Sequence, residues 1–313
     1  MDVLLEAQDL KKHFGALKAV DGISLSVKKG EVLGFLGPNG AGKTTTMKML
    51  TGFLAPTSGQ AIACGETIST GNVAARRRIG YLPEGAPLYG DMTTRDFLAF
   101  VAAAHGIEGG EARDVVESAA GAVHLHSVMD QRVETLSKGF KRRVGLAAAI
   151  LHAPDVLILD EPTDGLDPNQ KHEVRRLIEA MSVDRAIIIS THILEEVDAL
   201  CHRAVIINKG RIVADGTPSE LRARSKYRNA VTMLVPRSEA EKAASAMKSI
   251  RMVAKVEAAN EGDDVRLTVL ARDGAEISDS IGDIAAVSNW KVRQFSVEAG
   301  RLDDVFRQVT EGR

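Results

Sequence analysis

The chain has 313 residues, of which 44% are hydrophobic, 26% are charged and 4% are aromatic. These values are ordinary for globular proteins and exclude a mostly disordered, collagen-like or coiled-coil chain. The 40 Lys and Arg residues balance 42 Asp and Glu residues to a formal net charge of -2, so no overall positive field indicates nucleic acid as the main partner.

The N-terminal segment reads as short β-strands that lead into a glycine-rich loop and a helix. Its first residues, MDVLLEAQDLKKHF, have no basic region followed by a long apolar run, so we expect no signal peptide and a cytoplasmic chain. Strand signals cover Val3–Ala7, Lys18–Val27 and Val32–Leu36. The helix that begins near Lys43 is expected to end before Pro56.

The middle of the chain reads as a helical insertion followed by parallel β-α-β units. Alanine-rich helical patterning predicts helices near 93–105, 111–123 and 139–152. The apolar runs Val156–Asp160 and Ala186–Ser190 then flank a charged helix at 168–182. Because buried strands that alternate with helices form parallel sheets, we expect an α/β fold with helices on the sheet faces. A hairpin-like pair, Ala204–Lys209 and Arg211–Ala214, closes this region.

The pattern changes near Ser225, where we expect a second, smaller domain. Its predicted elements are strand 230–235, helix 237–250, strand 252–258, strand 264–271, helix 275–286, strand 290–297 and helix 301–311. This order matches a ferredoxin-like split β-α-β arrangement plus a terminal helix. We therefore predict one domain over 1–222, with a helical subdomain at about 88–152, and an accessory α+β domain over 223–313.

Two other features bear on location. Cys64 and Cys201 fit neither a disulfide framework nor a CxxC metal site, which favours a reducing compartment. The longest apolar stretches, 97–107 and 144–151, are shorter than the ~20 residues that cross a bilayer. Any membrane role is therefore expected to run through a partner.

A phosphate-binding motif lies between the third strand and the first helix. It satisfies G-x-x-x-x-G-K-[ST] and consists of Gly37, Pro38, Asn39, Gly40, Ala41, Gly42, Lys43 and Thr44, with Thr45 following. Glycines let the backbone N–H groups surround a phosphate, and the helix adds the positive end of its dipole. Lys43 is expected to reach the β- and γ-phosphates and Thr44 to ligate Mg²⁺. The alternative is a glycine-rich turn that holds a lysine by chance.

The buried run at Val156–Asp160 ends in two carboxylates, Asp160 and Glu161. In a parallel sheet such a strand delivers its last residues to the edge where ligands bind. We expect Asp160 to hold Mg²⁺ and Glu161 to act as general base on the attacking water. Alone, the run could be a buried strand that meets a charged turn, but the phosphate motif favours the functional interpretation.

Together these motifs resemble the nucleotide-binding subunits of ATP-binding cassette transporters over essentially all of residues 1–222. The segment Leu136-Ser137-Lys138-Gly139-Phe140 resembles the family signature LSGGQ, with Lys138 and Phe140 in place of glycine and glutamine. It is also similar to the Lys-Gly-Tyr variants of the exporter branch. The resemblance implies that Ser137, Lys138 and Gly139 contact ATP bound to the other subunit of a dimer. Without the family, Ser137 reads only as a helix N-cap.

The resemblance extends to four other positions. Asp167 matches the D-loop, which lies at the subunit contact, and His192 matches the switch histidine, which can hydrogen-bond the γ-phosphate and the water. Phe14 lies where family members stack an aromatic ring on adenine, although a core phenylalanine is an equal alternative. Glu84 occupies the Q-loop position, where a glutamine normally reaches Mg²⁺, and is a candidate metal ligand. The remaining histidines are expected to be surface or cap residues: His13, His105, His124, His126, His152, His172 and His202.

As a whole, the resemblance implies a P-loop NTPase cassette, with a mixed sheet core and a helical subdomain, that uses ATP and Mg²⁺. It implies an ATPase that dimerises with itself or a paralogous cassette, powers a separate permease for export, and sits on the inner face of the cell membrane. A cytoplasmic helix of that permease is expected to dock near Pro87-Leu88-Tyr89. The C-terminal part of the chain, about 90 residues with Gly300–Phe306 near its end, resembles the short tail domain of exporter-type cassettes. A dimer-stabilising or regulatory role is expected for it, with a ligand sensor as a lesser alternative.

Two other functions remain open from the sequence. One is a non-transport cassette ATPase that acts on nucleic acid or a regulatory complex, and the other is a nucleotide-binding regulator that does not hydrolyse. The first usually has two cassettes in one chain or a long coiled-coil insertion, and neither is present. The basic clusters Arg76–Arg78 and Lys141–Arg143 are expected to be solvated helix faces, with an acidic partner loop as a lesser alternative for the first.

Overall fold

The computed structural model describes residues 2–85 and 87–311, and their contacts divide the chain into two compact units. One unit extends to Asp215 and the other begins at Gly216. The boundary predicted at 222/223 lies later in the sequence than this division, and the short helix Pro218–Arg222 contacts the C-terminal helix Leu302–Glu311 within the second unit. No helix in these two described ranges is long and apolar enough to span a membrane.

The first half of the first unit contains mostly strands. Its elements are β1 (Val3–Phe14), β2 (Leu17–Lys28), β3 (Val32–Leu36), α1 (Lys43–Leu50), β4 (Ser58–Ala63), β5 (Glu66–Thr67), α2 (Val73–Arg77) and β6 (Ile79–Leu82). Four of these strands form one sheet in the order β2-β1-β4-β5, with antiparallel pairing of β1 to β2 and to β4. Strands β4, β5 and β6 and helix α2 were not predicted from the sequence.

The second half of the first unit contains the helical insertion and most of the parallel sheet. Its elements are α3 (Thr94–Ala104), α4 (Gly109–Ala122), α5 (Lys138–Ile150), β7 (Val156–Asp160), α6 (Pro168–Ser182), β8 (Ala186–Thr191), α7 (Leu194–Leu200), β9 (Arg203–Asn208) and β10 (Arg211–Gly216). The three helices α3, α4 and α5 contact one another, which confirms the predicted helical insertion.

A six-stranded sheet in the order β10-β9-β3-β8-β7-β6 is the centre of this unit. Strands β9, β3, β8, β7 and β6 pair in parallel. Every residue of β3, β7 and β8 is buried, as expected for parallel strands covered on both faces. The α/β prediction is therefore confirmed.

Helix α1 is buried between the two sheets. It contacts β1, β2 and β4 on one side and β7 on the other, and Met47 and Leu50 are fully buried in that core. Burying each such side chain is worth roughly 1.5–3 kcal/mol. The helix that follows the phosphate-binding motif is thus held rigidly by the main hydrophobic core.

The second unit has the predicted ferredoxin-like order. Its elements are α8 (Pro218–Arg222), β11 (Arg228–Pro236), α9 (Arg237–Lys248), β12 (Val253–Glu261), β13 (Asp264–Ala271), α10 (Ser278–Val287), β14 (Gln294–Ala299) and α11 (Leu302–Glu311). The sheet has the order β12-β13-β11-β14, and all its pairs are antiparallel. The strand predicted at 290–297 begins later, because Trp290 and Val292 pack on the hydrophobic core from a loop.

Gly80 lets helix α5 lie directly against strand β6. A Cβ atom at this position would overlap the carbonyl oxygen of Ala149 and lie 2.9 Å from Cγ of Pro154. We predict that Gly80→Ala lowers the free energy of unfolding of the first unit by about 1–3 kcal/mol, because either the helix or the strand must move. Urea unfolding measures this change. The control is Gly71→Ala, where a Cβ meets no atom within 4 Å, and equal midpoints for the two variants would contradict the prediction.

Candidate nucleotide-binding site

Three neighbouring parallel strands end at the same edge of the six-stranded sheet. Leu36 at the end of β3 pairs with Thr191 at the end of β8, and Asp160 at the end of β7 pairs with Ser190. The phosphate-binding loop follows β3, Glu161 follows β7 and His192 follows β8. Because the three strands end at the same edge of the sheet, the predicted phosphate, metal and base residues lie together there.

The phosphate-binding loop depends on glycine at several positions. Gly40 and Gly42 have φ angles of 78° and 107°, a region that favours glycine. A Cβ atom on Gly42 would lie 2.5 Å from the carbonyl oxygen of Ala19, and one on Gly37 would lie 2.6 Å from that of Ile207. Neighbouring strands β2 and β9 thus fix the loop from outside.

Lys43 lies across this loop. Only 8% of the residue is exposed, and its Nζ donates to the carbonyl oxygens of Gly37 at 2.7 Å and Pro38 at 3.3 Å. Thr44 and Thr45 are half-buried in the first turn of α1, while Asn39 and Gly40 are exposed at the loop tip. The ammonium group is thus held where the loop would surround an anion.

Asp160 combines deep burial with an unused acceptor. The residue is 1% exposed, its Oδ1 accepts a hydrogen bond from the Ser190 hydroxyl, and its Oδ2 is buried without a hydrogen-bond partner. An unpartnered buried carboxylate oxygen is costly unless a cation or water completes it. No cluster of three or more His, Cys, Asp or Glu side chains over 2–85 and 87–311 could hold a metal. The free oxygen of Asp160 itself suits Mg²⁺, which uses one or two carboxylates and takes its other ligands from phosphate and water.

Glu161 contacts the predicted switch histidine. Its Oε2 lies 2.6 Å from Nδ1 of His192, whose side chain is 54% exposed. Burial raises the pKa of the Glu161 carboxyl above its ordinary value, and the charge and hydrogen bond of His192 oppose that rise. A carboxylate with a raised pKa beside an accessible imidazole is a suitable arrangement for general base chemistry.

The backbone of Glu161 is strained, with a φ of 52°. A non-glycine residue in this left-handed region costs on the order of 1–3 kcal/mol. Its N–H donates to the carbonyl oxygen of Ser190 at 3.1 Å, so strand β8 holds one side of the residue. The left-handed turn ends strand β7 and starts the loop toward α6.

The signature residues lie at the start of helix α5. The Ser137 hydroxyl accepts a hydrogen bond from the backbone N–H of Phe140 at 3.3 Å, so the N-cap interpretation is confirmed. Ser137 and Lys138 are exposed, and Lys138 Nζ lies 3.9 Å from the Asp164 carboxylate. Gly139 is buried against Gln170, where a Cβ would be 2.7 Å from the side-chain amide. The role of these residues toward a second subunit stays a prediction.

Asp167, Phe14 and Glu84 are all exposed. The Asp167 side chain caps helix α6 by accepting from the N–H of Gln170 at 3.0 Å. Phe14 is 50% exposed, which excludes the core alternative, and its ring lies 5.3 Å from the Lys12 ammonium. Glu84 lines a pocket of about 390 Å³ together with the start of α5, so its predicted role as a metal ligand has no support from its contacts.

The sequence did not indicate two charged side chains that join elements at this edge. Arg142 was expected on a solvated face, but this was wrong: its guanidinium points inward and donates to backbone carbonyls beside Asp160. Glu196 is 3% exposed and accepts hydrogen bonds from the hydroxyls of Thr163 and Thr191, so it joins the loops after β7 and β8. Neither residue had a sequence signal, because a charged residue on a helix is ordinarily solvated.

A groove with aromatic lining lies between strand β6 and helix α3. Its volume is about 650 Å³, and the lining includes Phe53, Tyr89 and Phe100, which are 76%, 52% and 46% exposed. The rings of His105 and His152 stack there with centroids 3.9 Å apart. His152 was expected to be a surface or cap residue, but it is half-buried, and burial lowers its pKa to about 4.

Comparison with known proteins agrees with this geometry. A family model described as ABC transporter matches residues 20–164. The Nod factor export ATP-binding protein I of Paraburkholderia xenovorans is 42% identical over 221 residues, which cover 70% of this chain and 73% of that protein. The probable multidrug ABC transporter ATP-binding protein YbhF of Escherichia coli is 38% identical over 72% of this chain. The chain spans 39% of the length of that relative.

A solved structure with the same fold is that of cbiO1 from Clostridium perfringens, described as part of the ABC transporter complex cbiONQ. It is 30% identical, with a TM-score of 0.65, and the match covers 72% of this chain and 92% of that one.

We predict that Asp160→Asn removes the Mg²⁺ dependence of ATP binding. The amide keeps the volume and can keep a bond to Ser190, but it replaces the unpartnered anionic oxygen by a neutral group. Calorimetric titration of ATP with Mg²⁺ or with EDTA measures this. We expect EDTA to weaken binding about tenfold or more in the unmodified protein and little in the variant.

The matched control is Asp155→Asn, just before the same strand, where the carboxylate pairs with Arg78 at 3.0 Å. This variant should respond to EDTA like the unmodified protein. An Asp160→Asn protein with the normal Mg²⁺ response would contradict the assignment.

Proposed function

Because the chain belongs to the ABC transporter family, we propose that it is an ATP-binding subunit that hydrolyses ATP to ADP and phosphate and powers a separate membrane permease. The observation that carries the proposal is the common edge of β3, β8 and β7, where the register pairs Leu36 with Thr191 and Asp160 with Ser190. This edge supplies an anion-binding loop, a buried carboxylate and a base beside a histidine.

ATP binding starts at the phosphate-binding loop. The backbone N–H groups of the loop and of the first turn of α1 surround the β- and γ-phosphates, and the dipole of α1 adds to their positive potential. Lys43 exchanges its contacts with the Gly37 and Pro38 carbonyls for the phosphate oxygens. The half-exposed Phe14 ring is available to stack on the adenine base.

Hydrolysis uses the carboxylate of Glu161 as general base. It accepts a proton from the attacking water, and His192, 2.6 Å away, orients the carboxylate and donates to the developing charge on the γ-phosphate. Thr44 and Asp160 are the residues that would hold Mg²⁺, which neutralises phosphate charge when bound. This arrangement favours an ATPase over a nucleotide-binding regulator that does not hydrolyse.

The active form is a dimer, either of this chain or with a paralogous cassette. The exposed Ser137 and Lys138 then face ATP held by the other subunit, at an interface with two-fold symmetry. Contacts that ATP makes in the closed dimer and ADP does not make provide the free energy difference that drives the permease.

The permease docks in the groove lined by Phe53, Tyr89 and Phe100. Exposed aromatic rings around a pocket of this size are typical of a protein interaction site. This contact would place the chain at the cytoplasmic face of the membrane, where ATP is available. The word export in the name of the Nod factor relative supports export as the direction. A cassette that acts on nucleic acid is not supported, because the net charge is -2.

We predict that Glu161→Gln lowers the turnover number for phosphate release by about 10²–10⁴, since an amide cannot accept the proton. In the unmodified protein the acidic limb of the pH profile should lie above the ordinary carboxyl pKa, because burial raises the pKa of Glu161 and the base works only when ionised. The rate of phosphate release, measured between pH 5 and 8, gives both the turnover number of the variant and the acidic limb of the unmodified protein's pH profile. Glu179→Gln, on the exposed face of α6, is the control. Full hydrolysis by Glu161→Gln would show that another residue is the base.

The docking proposal predicts that Leu88→Asp and Tyr89→Asp uncouple transport from hydrolysis. A carboxylate placed in the groove is costly to bury and so opposes insertion of an apolar helix. We expect ATPase activity of the isolated protein within about twofold of normal and transport with the permease reduced at least tenfold. Val183→Asp introduces the same charge at a 72% exposed position away from the groove and should leave both unchanged. Equal loss of ATPase activity and transport would contradict docking.

A further inference from the structure

The guanidinium of Arg142 contacts four backbone carbonyl oxygens at the catalytic edge of the sheet. Its Nε donates to Pro162 at 3.1 Å, and one Nη donates to Pro83 at 3.2 Å. The other Nη donates to Asp160 at 2.5 Å and also to Glu161. Arg142 lies in the second turn of α5, the helix whose N-cap is Ser137. A single side chain thus joins the signature helix to the end of β7 and to the loop after β6.

These contacts are unusual for an arginine. None of its hydrogen bonds within the described ranges goes to a carboxylate, and burial lowers the pKa of Arg142 below its ordinary value. Burying part of this charge is costly. The nearby carboxylates and the polar backbone of the loop offset that cost only if the planar guanidinium group meets its acceptors. The geometry at Asp160, Glu161 and Pro162 is therefore closely coupled to the position of α5.

Glu161 is the residue that needs such support. Its φ of 52° is strained, and a strained residue persists only when its surroundings hold it in place. Ser190 on β8 accepts the N–H of Glu161, while Arg142 on α5 donates to its carbonyl oxygen. Both peptide groups of the predicted base are thus held, each by a different element.

We propose that Arg142 is a positioning residue for hydrolysis. Its guanidinium group holds the left-handed turn at Glu161 and so orients the Glu161 carboxylate toward the attacking water. Because α5 begins at the signature serine, a shift of this helix also shifts the base of the same subunit. The proposal rests on the proposed function, since it assigns Arg142 to the ATPase reaction of Glu161.

The test compares Arg142→Gln with the unmodified protein by steady-state ATPase kinetics and by binding of a non-hydrolysable ATP analogue. The amide loses the charge and most of the donors, so the turn at Glu161 loosens while the phosphate-binding loop is untouched. We expect the turnover number to fall at least tenfold and the affinity for the analogue to stay within about twofold. Lys141→Gln is the control, because it removes one charge from the same helix and its ammonium donates to the Glu134 carbonyl at 2.9 Å.

The outcomes separate a positioning role from a structural one. A normal turnover number in Arg142→Gln, or a parallel loss of turnover and analogue affinity, would overturn the proposal. If Arg142→Gln does not fold, Arg142→Lys replaces it in the test, because lysine keeps the charge but has no planar guanidinium group. We expect this variant to have a turnover number at least threefold lower and a normal affinity for the ATP analogue. Normal turnover in Arg142→Lys would also overturn it. If Glu161→Gln hydrolyses ATP normally, Glu161 is not the base and the Arg142 proposal falls with that assignment. If the unmodified protein does not hydrolyse ATP, the proposed function itself fails.

Discussion

The hydrogen-bonded register of three parallel strands is the constraint on which the rest of the site depends. Strands β3, β8 and β7 are buried over their whole length, so their register is set by packing on both faces and by their mutual hydrogen bonds. Because the strands end level, loops separated by more than a hundred residues in sequence meet at one edge. A register slip at β7 would exchange the side chains that face this edge.

The loops at this edge are joined to each other by buried polar side chains. Glu196 accepts from Thr163 and Thr191 and so connects the loop after β7 to the end of β8. Arg142 connects the loop after β7 to α5 through backbone carbonyls. Such networks are rigid when their polar groups have hydrogen-bond partners, as the carboxylate of Glu196 and the guanidinium group of Arg142 do. Oδ2 of Asp160 is buried at this edge without a hydrogen-bond partner, so it is available to a cation.

Part of the fold and site could be predicted from the sequence. The phosphate-binding loop, the acidic end of β7 and the helical insertion combine local signals, such as glycine spacing and apolar periodicity, that act over a few residues. Strand β6 was missed because its four residues include Gly80 and come soon after a helix, so they show no alternation of apolar and polar residues. The exposure of Phe14 was left open because the sequence did not show which face of β1 is covered.

The sequence by itself determined the chemistry available to this protein: which residues can bind phosphate, hold a cation or accept a proton, and in what order they occur. Local conformational preferences and motif spacing are enough for that. Only the tertiary structure decided that Glu161 meets His192, that the Arg142 charge faces inward and that Asp160 keeps a free oxygen. These outcomes depend on contacts between distant segments, and the free energy of burying a charge is decided by its neighbours in space.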